Sequence, residues 1–593
     1  MRWAGLFLFM AVACRTPGAL PPANDDGPIH LTLIGTNDFH GWVDGQSDTF
    51  GGATIRFGGA AALASYVAIA REKNPGGVLL LDAGDLFQGT IASNITEGAV
   101  VIDVFNALRY DAAAIGNHEF DYGPVGPLPV PHDASHDPFG ALKARIAQAK
   151  FPLLSTNIYE LESRRRPAWL PGEGWTIVER KGLKIGLFGL TTPQTPTTTM
   201  PINVATLKFN SLAPEAMSAA KALREHGADV VVALIHAGGK CGSWADPHDL
   251  TSCDLDTGEV FQMLKDVPEG TLDAAIAGHT HQVMAHFIHG TPVVESAGLG
   301  RGFSMIELYV DAKTRRVMQG ATRLVPAIGV CETVDEETGS CDSAVLRKKD
   351  VVTVVPAKWQ GQQIRPDPAV RAVLAPALAQ VAEAQRRPLG VRVPKMVGRN
   401  YEAESGLGSM LADSLRTLEQ ADVALLNPGG LRADLKAGEL TYGAVYEVLP
   451  FDNAIATLTL KGSELMQLLR SAYGGRKGVF QVSGLQVTLQ RCPGPSRLVA
   501  VKLASGEAIS DERQYRVVMP DFLARGGDGL MATLKTLDPA QVDLGNNRLL
   551  NFRDALVTYW QKARAPLKAP AKGRVTLEGA ACAKEPHNEA AGQ

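Results

Sequence analysis

The 593-residue sequence has no basic stripe, and its formal net charge is −4. A surface that neutralises nucleic-acid phosphates needs clustered Lys and Arg, so nucleic acid is not expected as a partner. Beyond residue 14 no run is long and apolar enough to span a bilayer. No Cys-x-x-Cys occurs among the seven cysteines, which argues against a thiolate-bound metal. Internal repeats are missing, and so is low-complexity sequence outside a short N-terminal tether. What remains is a chain of ordinary hydrophobic and charged content, as in soluble globular proteins. It is too long for one core, so two domains are expected.

The N-terminus reads as an export signal. Arg2 precedes a short apolar run ending in Ala11-Val12-Ala13-Cys14, which resembles a bacterial lipobox with Ala in place of the usual Leu. Residues 1–14 are expected to be a signal peptide with lipobox, and 15–27 a Pro-rich polar tether. A lipid on Cys14 is then the one expected membrane contact of a periplasmic or cell-envelope protein. Setting Cys14 aside leaves six cysteines, whose proximity suggests bridges Cys241–Cys253, Cys331–Cys341 and Cys492–Cys582.

Residues 28–350 alternate apolar strands with helical stretches, which predicts an α/β domain. The segment after Asp121 is rich in Pro and Gly and is expected to be a surface loop. Residues 305–327 read as a hairpin. Residues 351–394 are expected to be a linker carrying a connector helix around Asp367 to Gln385, with Pro376 either kinking it or marking its start. A second α/β region is expected over 395–580, and a frayed tail over 581–593.

Polar residues follow five apolar runs of the first region. HLTLIGTNDFHG supplies Asp38 and His40, GVLLLDAGD supplies Asp85, and AAAIGNHEFD supplies Asn117. VVVALIHAGG supplies His236, and DAAIAGHTHQ supplies His279 and His281. In open α/β sheets functional groups collect beyond the carboxyl ends of the strands. Carboxylate, amide and imidazole ligands suit hard and borderline divalent cations. The Asp-x-His spacing is expected to set Asp38 and His40 on one side of a strand end, with His279 and His281 repeating it. Two cations need a shared anion between them, and Asp85 is the bridging candidate. Asp82, inside the apolar run, is expected to orient the loop, and Glu119 to point away from the metals. His30, His132, His136, His248 and His289 lack such a setting.

The fragment Gly116-Asn117-His118-Glu119-Phe120-Asp121, together with NDFHG, GD, IH and GHTH in this order, resembles the calcineurin-like metallophosphoesterases and specifically their 5′-nucleotidase family. The resemblance implies a four-layer α/β/β/α domain followed by a second α/β, substrate-binding domain. It implies two divalent ions (Zn, Mn, Co or Fe), one on Asp38, His40, Asp85 and His281, the other on Asp85, Asn117, His236 and His279. His118 is left for transition-state stabilisation or leaving-group protonation, with Asp121 holding its imidazole cationic.

Three further blocks of the second region resemble the same family: Glu404–Gly408, Asn427–Arg432 and Asp521–Gly529. Arg432 offers a planar fork to phosphate. Phe451 and Phe522 are expected to sandwich a base, Asp528 to accept from ribose hydroxyls, and Asn427 to contact the base. Gly430 lets the backbone approach a ligand. Two departures stand out. Tyr401 occupies a position where the family usually has Arg, and Gly406 one where it has Asn; Arg399 is the expected substitute for the phosphate-binding Arg. Pro428 also replaces a glycine. The expected activity is removal of the 5′-phosphate from nucleotides. Hydrolysis of UDP-sugars or dinucleotides, of 2′,3′-cyclic nucleotides, or of thiosulfate esters stays open on the same metal site. The rival outside enzymes is a non-catalytic surface nucleotide-binding protein.

Overall fold

Strand Ile29–Thr36 turns Leu31 and Leu33 to one face and Ile34 to the other, and all three are buried. The same alternation runs through Val78–Asp82, Leu183–Thr191 and Val230–His236. Strand side chains alternate with period two, so strands that are apolar on both faces require cover on both. The computed structural model provides it with two six-stranded sheets packed face to face. It describes residues 27–579, apart from 127–129, 132, 134, 475–477, 492–496, 535–536 and 546–549. The expected signal peptide with Cys14, the tether up to residue 26, His132, the Cys492–Cys582 bridge and the tail lie outside the described residues.

In the first sheet the order is Arg323–Gly329, Gly302–Val310, Ile29–Thr36, Val78–Asp82, Ala112–Ala114 and Leu153–Leu154. The last four run parallel, and Gly302–Val310 pairs antiparallel on both sides, forming the hairpin with Arg323–Gly329. The second sheet runs Met284–Ile288, Thr291–Glu295, Ala274–Ala277, Val230–His236, Leu183–Thr191 and Trp175–Arg180, with its four central strands parallel. Leu31, Leu33, Leu79 and Leu81 face Ile185, Leu187, Val232 and Leu234 between the sheets. Helices Ala60–Lys73 and Ala99–Leu108 cover the outer face of one sheet, and Leu212–Glu225 and Glu259–Asp266 that of the other. The result is the α/β/β/α layering.

The second α/β unit is built on a five-stranded sheet in the order Gln481–Ser483, Val423–Leu426, Gln514–Pro520, Ile455–Lys461 and Val542–Asp543. Ala424, Leu426 and Val518 face helices Gly406–Leu418 and Phe552–Ala563. Val423, Leu425 and Val517 face Gly462–Gly474 on the other side.

Helix Pro368–Arg386 connects the two units. The Asp367 side chain caps it by accepting from the backbone N–H of Ala369 and Val370, and Pro368 sits at its first turn, where no N–H is needed. The helix therefore begins at Pro368, and Pro376 lies inside it. Val370, Leu374, Ala377 and Val381 bury into the first core, which Tyr446 of the second unit also enters. Strand Pro388–Val393 follows directly and pairs with Gly438–Thr441. Cys241–Cys253 and Cys331–Cys341 are disulfide-bonded.

Candidate active site

The parallel strands of both sheets deliver their polar residues to one place. Asp38 and His40 follow Ile29–Thr36, Asp85 follows Val78–Asp82, and Asn117 follows Ala112–Ala114. His236 ends its strand, while His279 and His281 follow Ala274–Ala277. Donor atoms of Asp38, His40 and His281 lie within 4.8 Å of one another, and so do those of Asp85, His236 and His279. Asp85 Oδ2 links the groups, at 3.2 Å from His236 Nε2 and 3.6 Å from His40 Nε2. Asn117 Oδ1 is 3.0 Å from His236 Nε2.

The strand-end geometry differs from the expected alternation. The strand stops at Thr36, and Asp38 and His40 lie beyond it with φ of 51° and 48°. Asp85, His279 and His281 are also left-handed, with φ of 58°, 77° and 54°. Non-glycine residues in this region are held there by their surroundings at a cost of roughly 1–3 kcal/mol each, and such strain clusters at functional sites. Turns, not pleated strand ends, aim these side chains.

The donor set fits divalent cations. His40 Nδ1–H donates to the Gln88 carbonyl and His236 Nδ1–H to that of Ala83, at 2.8 Å each. Their Nε2 lone pairs therefore point inward. There His236 Nε2 meets Asn117 Oδ1 and Asp85 Oδ2, while His40 Nε2 lies 3.1 Å from His281 Nε2. Apart from Arg432 Nη2 beside His40 Nε2, these inward atoms are acceptors facing acceptors, and a buried set of that kind needs a cation between its members. Burial would raise the carboxyls of Asp38 and Asp85; positive charge beside them, on His281 for Asp38 and on His236 and His118 for Asp85 when these imidazoles are protonated, instead holds both well below the usual range.

Supporting groups lock the turns. Glu119 points away from this cluster, as expected, and accepts from the backbone N–H of Asp85, Leu86 and Gly116 at 2.9, 2.6 and 2.6 Å. A Cβ at Gly116 would stand 2.2 Å from Asp85 Oδ1, so only glycine lets the two turns meet. Asp82 accepts from Gly84 N–H and Thr36 Oγ–H. Asn37 donates to Asp38 Oδ2 and accepts from Ser296, a contact between distant segments that the sequence does not signal.

His118 lies beside the cluster. Its Nδ1 is 2.5 Å from Asp121 Oδ2, and its backbone N–H donates to Asp85 Oδ1. Thr199 Oγ–H donates to the other Asp121 oxygen. Burial would lower the pKa of His118, but the carboxylates of Asp121 and Asp85 outweigh it and raise it.

The second unit faces this cluster across a cavity of about 1650 Å³. Arg399, Asn427, Gly430, Arg432, Phe451, Phe522 and Asp528 all line it, together with Asp85, Asn117 and His118. Arg432 reaches furthest, with Nη2 2.9 Å from His40 Nε2 and its guanidinium 5.9 Å from the Phe451 ring centre. The Phe451 and His118 ring centres are 5.7 Å apart. Asn427 Nδ2 donates to Asp528 Oδ2. Arg399 donates to the Leu431 carbonyl and so lies beside the Arg432 segment.

Both departures have a structural context. Tyr401 lines the cavity, and burial and then Asp528 push its phenol up to about 12. A Cβ at Gly406 would stand 2.8 Å from Ala569 Cβ, so Ala569 already fills the space a larger residue would need.

Two family matches divide the chain as the structure does. Calcineurin-like phosphoesterase matches residues 31–283, and the 5′-nucleotidase C-terminal domain matches 381–536. The chain is 28% identical over 538 residues to a snake venom 5′-nucleotidase of Naja atra, covering 85% of this chain and 91% of that protein. It is 24% identical over 571 residues to the endonuclease YhcR of Bacillus subtilis (strain 168), covering 94% of this chain but 42% of that protein's length. Among solved structures, a 5′-nucleotidase precursor from Thermus thermophilus has a similar fold, with a TM-score of 0.70 at 24% identity over 92% of this chain and 99% of that one. The chain belongs to the 5′-nucleotidase family of calcineurin-like phosphoesterases and is a metal-dependent phosphoester hydrolase.

Proposed function

We propose that this protein removes the 5′-phosphate from nucleotides, giving nucleoside and phosphate. The observation that carries the proposal is a single cavity shared by a metal-type donor cluster and by Arg432, Phe451, Phe522 and Asp528. Asp38, His40, Asp85 and His281 would hold one divalent ion; Asp85, Asn117, His236 and His279 would hold the other. Zn, Mn, Co and Fe all suit such ligands. When bound, such a pair supplies a nucleophile at neutral pH and neutralises phosphoryl charge.

The remaining roles belong to the chain itself. Arg432 binds phosphoryl oxygens from the second domain. Asp121 accepts the Nδ1–H of His118, which leaves Nε2–H to donate to the leaving oxygen or the developing charge. Phe451 and Phe522 grip the base on their π faces, a contact tolerant of base identity. Asp528 accepts from ribose hydroxyls, Asn427 contacts the base, and Gly430 admits the ligand close to the backbone. Arg399 supplements Arg432 where Tyr401 stands in place of the family's Arg.

One observation favours a second reading. At about 1650 Å³ the cavity exceeds the 300–1,000 Å³ of ordinary small-molecule pockets, and Tyr401 adds another aromatic wall. A nucleoside diphosphate-sugar or dinucleotide would use that space. Export is part of the proposal, since disulfides such as Cys241–Cys253 persist in oxidising compartments.

Product formation from each substrate decides among these: phosphate from AMP, UMP and glucose 1-phosphate from UDP-glucose, mononucleotides from a dinucleotide, the ring-opened monophosphate from a 2′,3′-cyclic nucleotide, and sulfate from a thiosulfate ester. AMP as the substrate with the highest kcat/KM supports the first reading; AMP left intact with another substrate cleaved ends it.

A further inference from the structure

Asn94 lies in the short helix Ile91–Ile95 of the first domain, lines the cavity, and has no part in the chemistry above. Its Oδ1 accepts from Gly89 N–H at 3.0 Å and from Tyr122 Oη–H at 2.9 Å. Its Nδ2 donates to the Pro450 carbonyl of the second domain at 2.9 Å. These partners fix the amide's orientation: Gly89 N–H can only donate and the Pro450 carbonyl can only accept.

Each partner adjoins a group that the reaction needs. Gly89 follows Gln88, whose carbonyl takes the Nδ1–H of His40. Tyr122 follows Asp121, the partner of His118. Pro450 precedes Phe451, whose ring lies beside that of His118. Within its own domain the Phe451 loop is already fixed, since Arg553 donates to the Leu449 carbonyl and to Asp452, and Asp521 accepts from Ala454 N–H. The loop therefore travels with the second domain, and the Asn94 donor ties it to the first.

We propose that Asn94 is a positioning residue: one carboxamide that sets the second domain's Phe451 loop against the His40 and His118–Asp121 loops of the first. The inference rests on the nucleotide reading of the cleft, because it is the nucleoside that feels a displaced Phe451.

Asn94→Asp tests it selectively. The carboxylate keeps both acceptor contacts but turns an oxygen toward the Pro450 carbonyl, where the two repel. AMP and glycerol phosphate, which has no base to grip, are compared on the full-length protein with metal bound. A misplacement of about 1 Å costs on the order of a hundredfold in rate, so kcat/KM for AMP is expected to fall about tenfold or more. Glycerol phosphate, which also uses Arg432 of the second domain but has no base for Phe451 to grip, is expected to lose clearly less than AMP, and metal content to stay near wild type. Small-angle scattering, read without any substrate, should show a larger radius of gyration. Asn94→Ala, which removes both halves of the contact, is the substitute if Asn94→Asp does not fold, and the scattering shift is then the deciding readout. If wild-type protein does not cleave AMP, the nucleotide reading has failed, and scattering alone judges the Asn94 contact. Unchanged AMP kinetics with an unchanged scattering curve overturn the proposal. So does an equal loss on both esters, which would make Asn94 a support of the first domain's loops only.

Discussion

His118 Nδ1 and Asp121 Oδ2 lie 2.5 Å apart across a single 3₁₀ turn, with the second Asp121 oxygen held by Thr199. The contact fixes both the tautomer and the direction of the ring. His118→Ala is expected to lower kcat for AMP by roughly 10²–10⁴-fold, the usual worth of a positioned acid. Asp121→Asn should cost less, because the ring remains but loses its charge partner. Steady-state phosphate release checks both, with circular dichroism to confirm an intact fold.

Phe451→Ala and Phe522→Ala should act on binding. Loss of a stacking ring forfeits about 1–3 kcal/mol per base, so KM for AMP is expected to rise by about five- to 150-fold. kcat should change less for Phe522→Ala than for Phe451→Ala, whose ring also abuts His118. Equal, large losses of kcat in both variants would contradict the sandwich.

Much of the site could be read from residue order. Asp38, Asp85, Asn117 and His236 each follow an apolar run, and chain topology brings such ends together without further information. Two other features depend on contacts between distant segments. The left-handed turns at Asp38, His40, Asp85, His279 and His281 are not encoded by glycine, so nothing local announces them. That Glu119 points away from the metals is legible in the sequence, but its locking role is not, because its three backbone partners come from other turns as well as its own. Gly406 departs from the family's Asn, and the residue that takes up the space beside it, Ala569, lies far along the sequence.

Tyr401 offers a gain-of-affinity test. It lines the cavity with Arg432 and Arg399 but brings no positive charge. Tyr401→Arg adds a cation there, and KM for AMP is expected to fall severalfold, more at low than at high ionic strength. A higher KM would instead show that the phenol itself contacts the substrate.

Acid sensitivity has a local source away from the cavity. The Lys349 ammonium, 2.6 Å from Asp335, lowers that buried carboxyl to about 2, with Thr338 and Thr353 N–H helping. A depressed pKa stabilises the fold above the ordinary carboxyl value of about 4, and the contribution is lost as pH falls toward 2. Wild-type Tm should therefore drop more steeply between those limits than that of Asp335→Asn, which starts lower at neutral pH.

Metal stoichiometry measured alongside activity bears most directly on the two-cation site. Wild-type protein should carry about two equivalents of divalent metal, and EDTA should abolish phosphate release from AMP until Mn²⁺, Zn²⁺ or Co²⁺ is restored. Asp85→Asn, which alters the carboxylate shared by both donor groups, should bind fewer ions and lose activity. Full turnover by metal-free protein, or two tightly held ions in fully active Asp85→Asn, would contradict a paired centre bridged by Asp85.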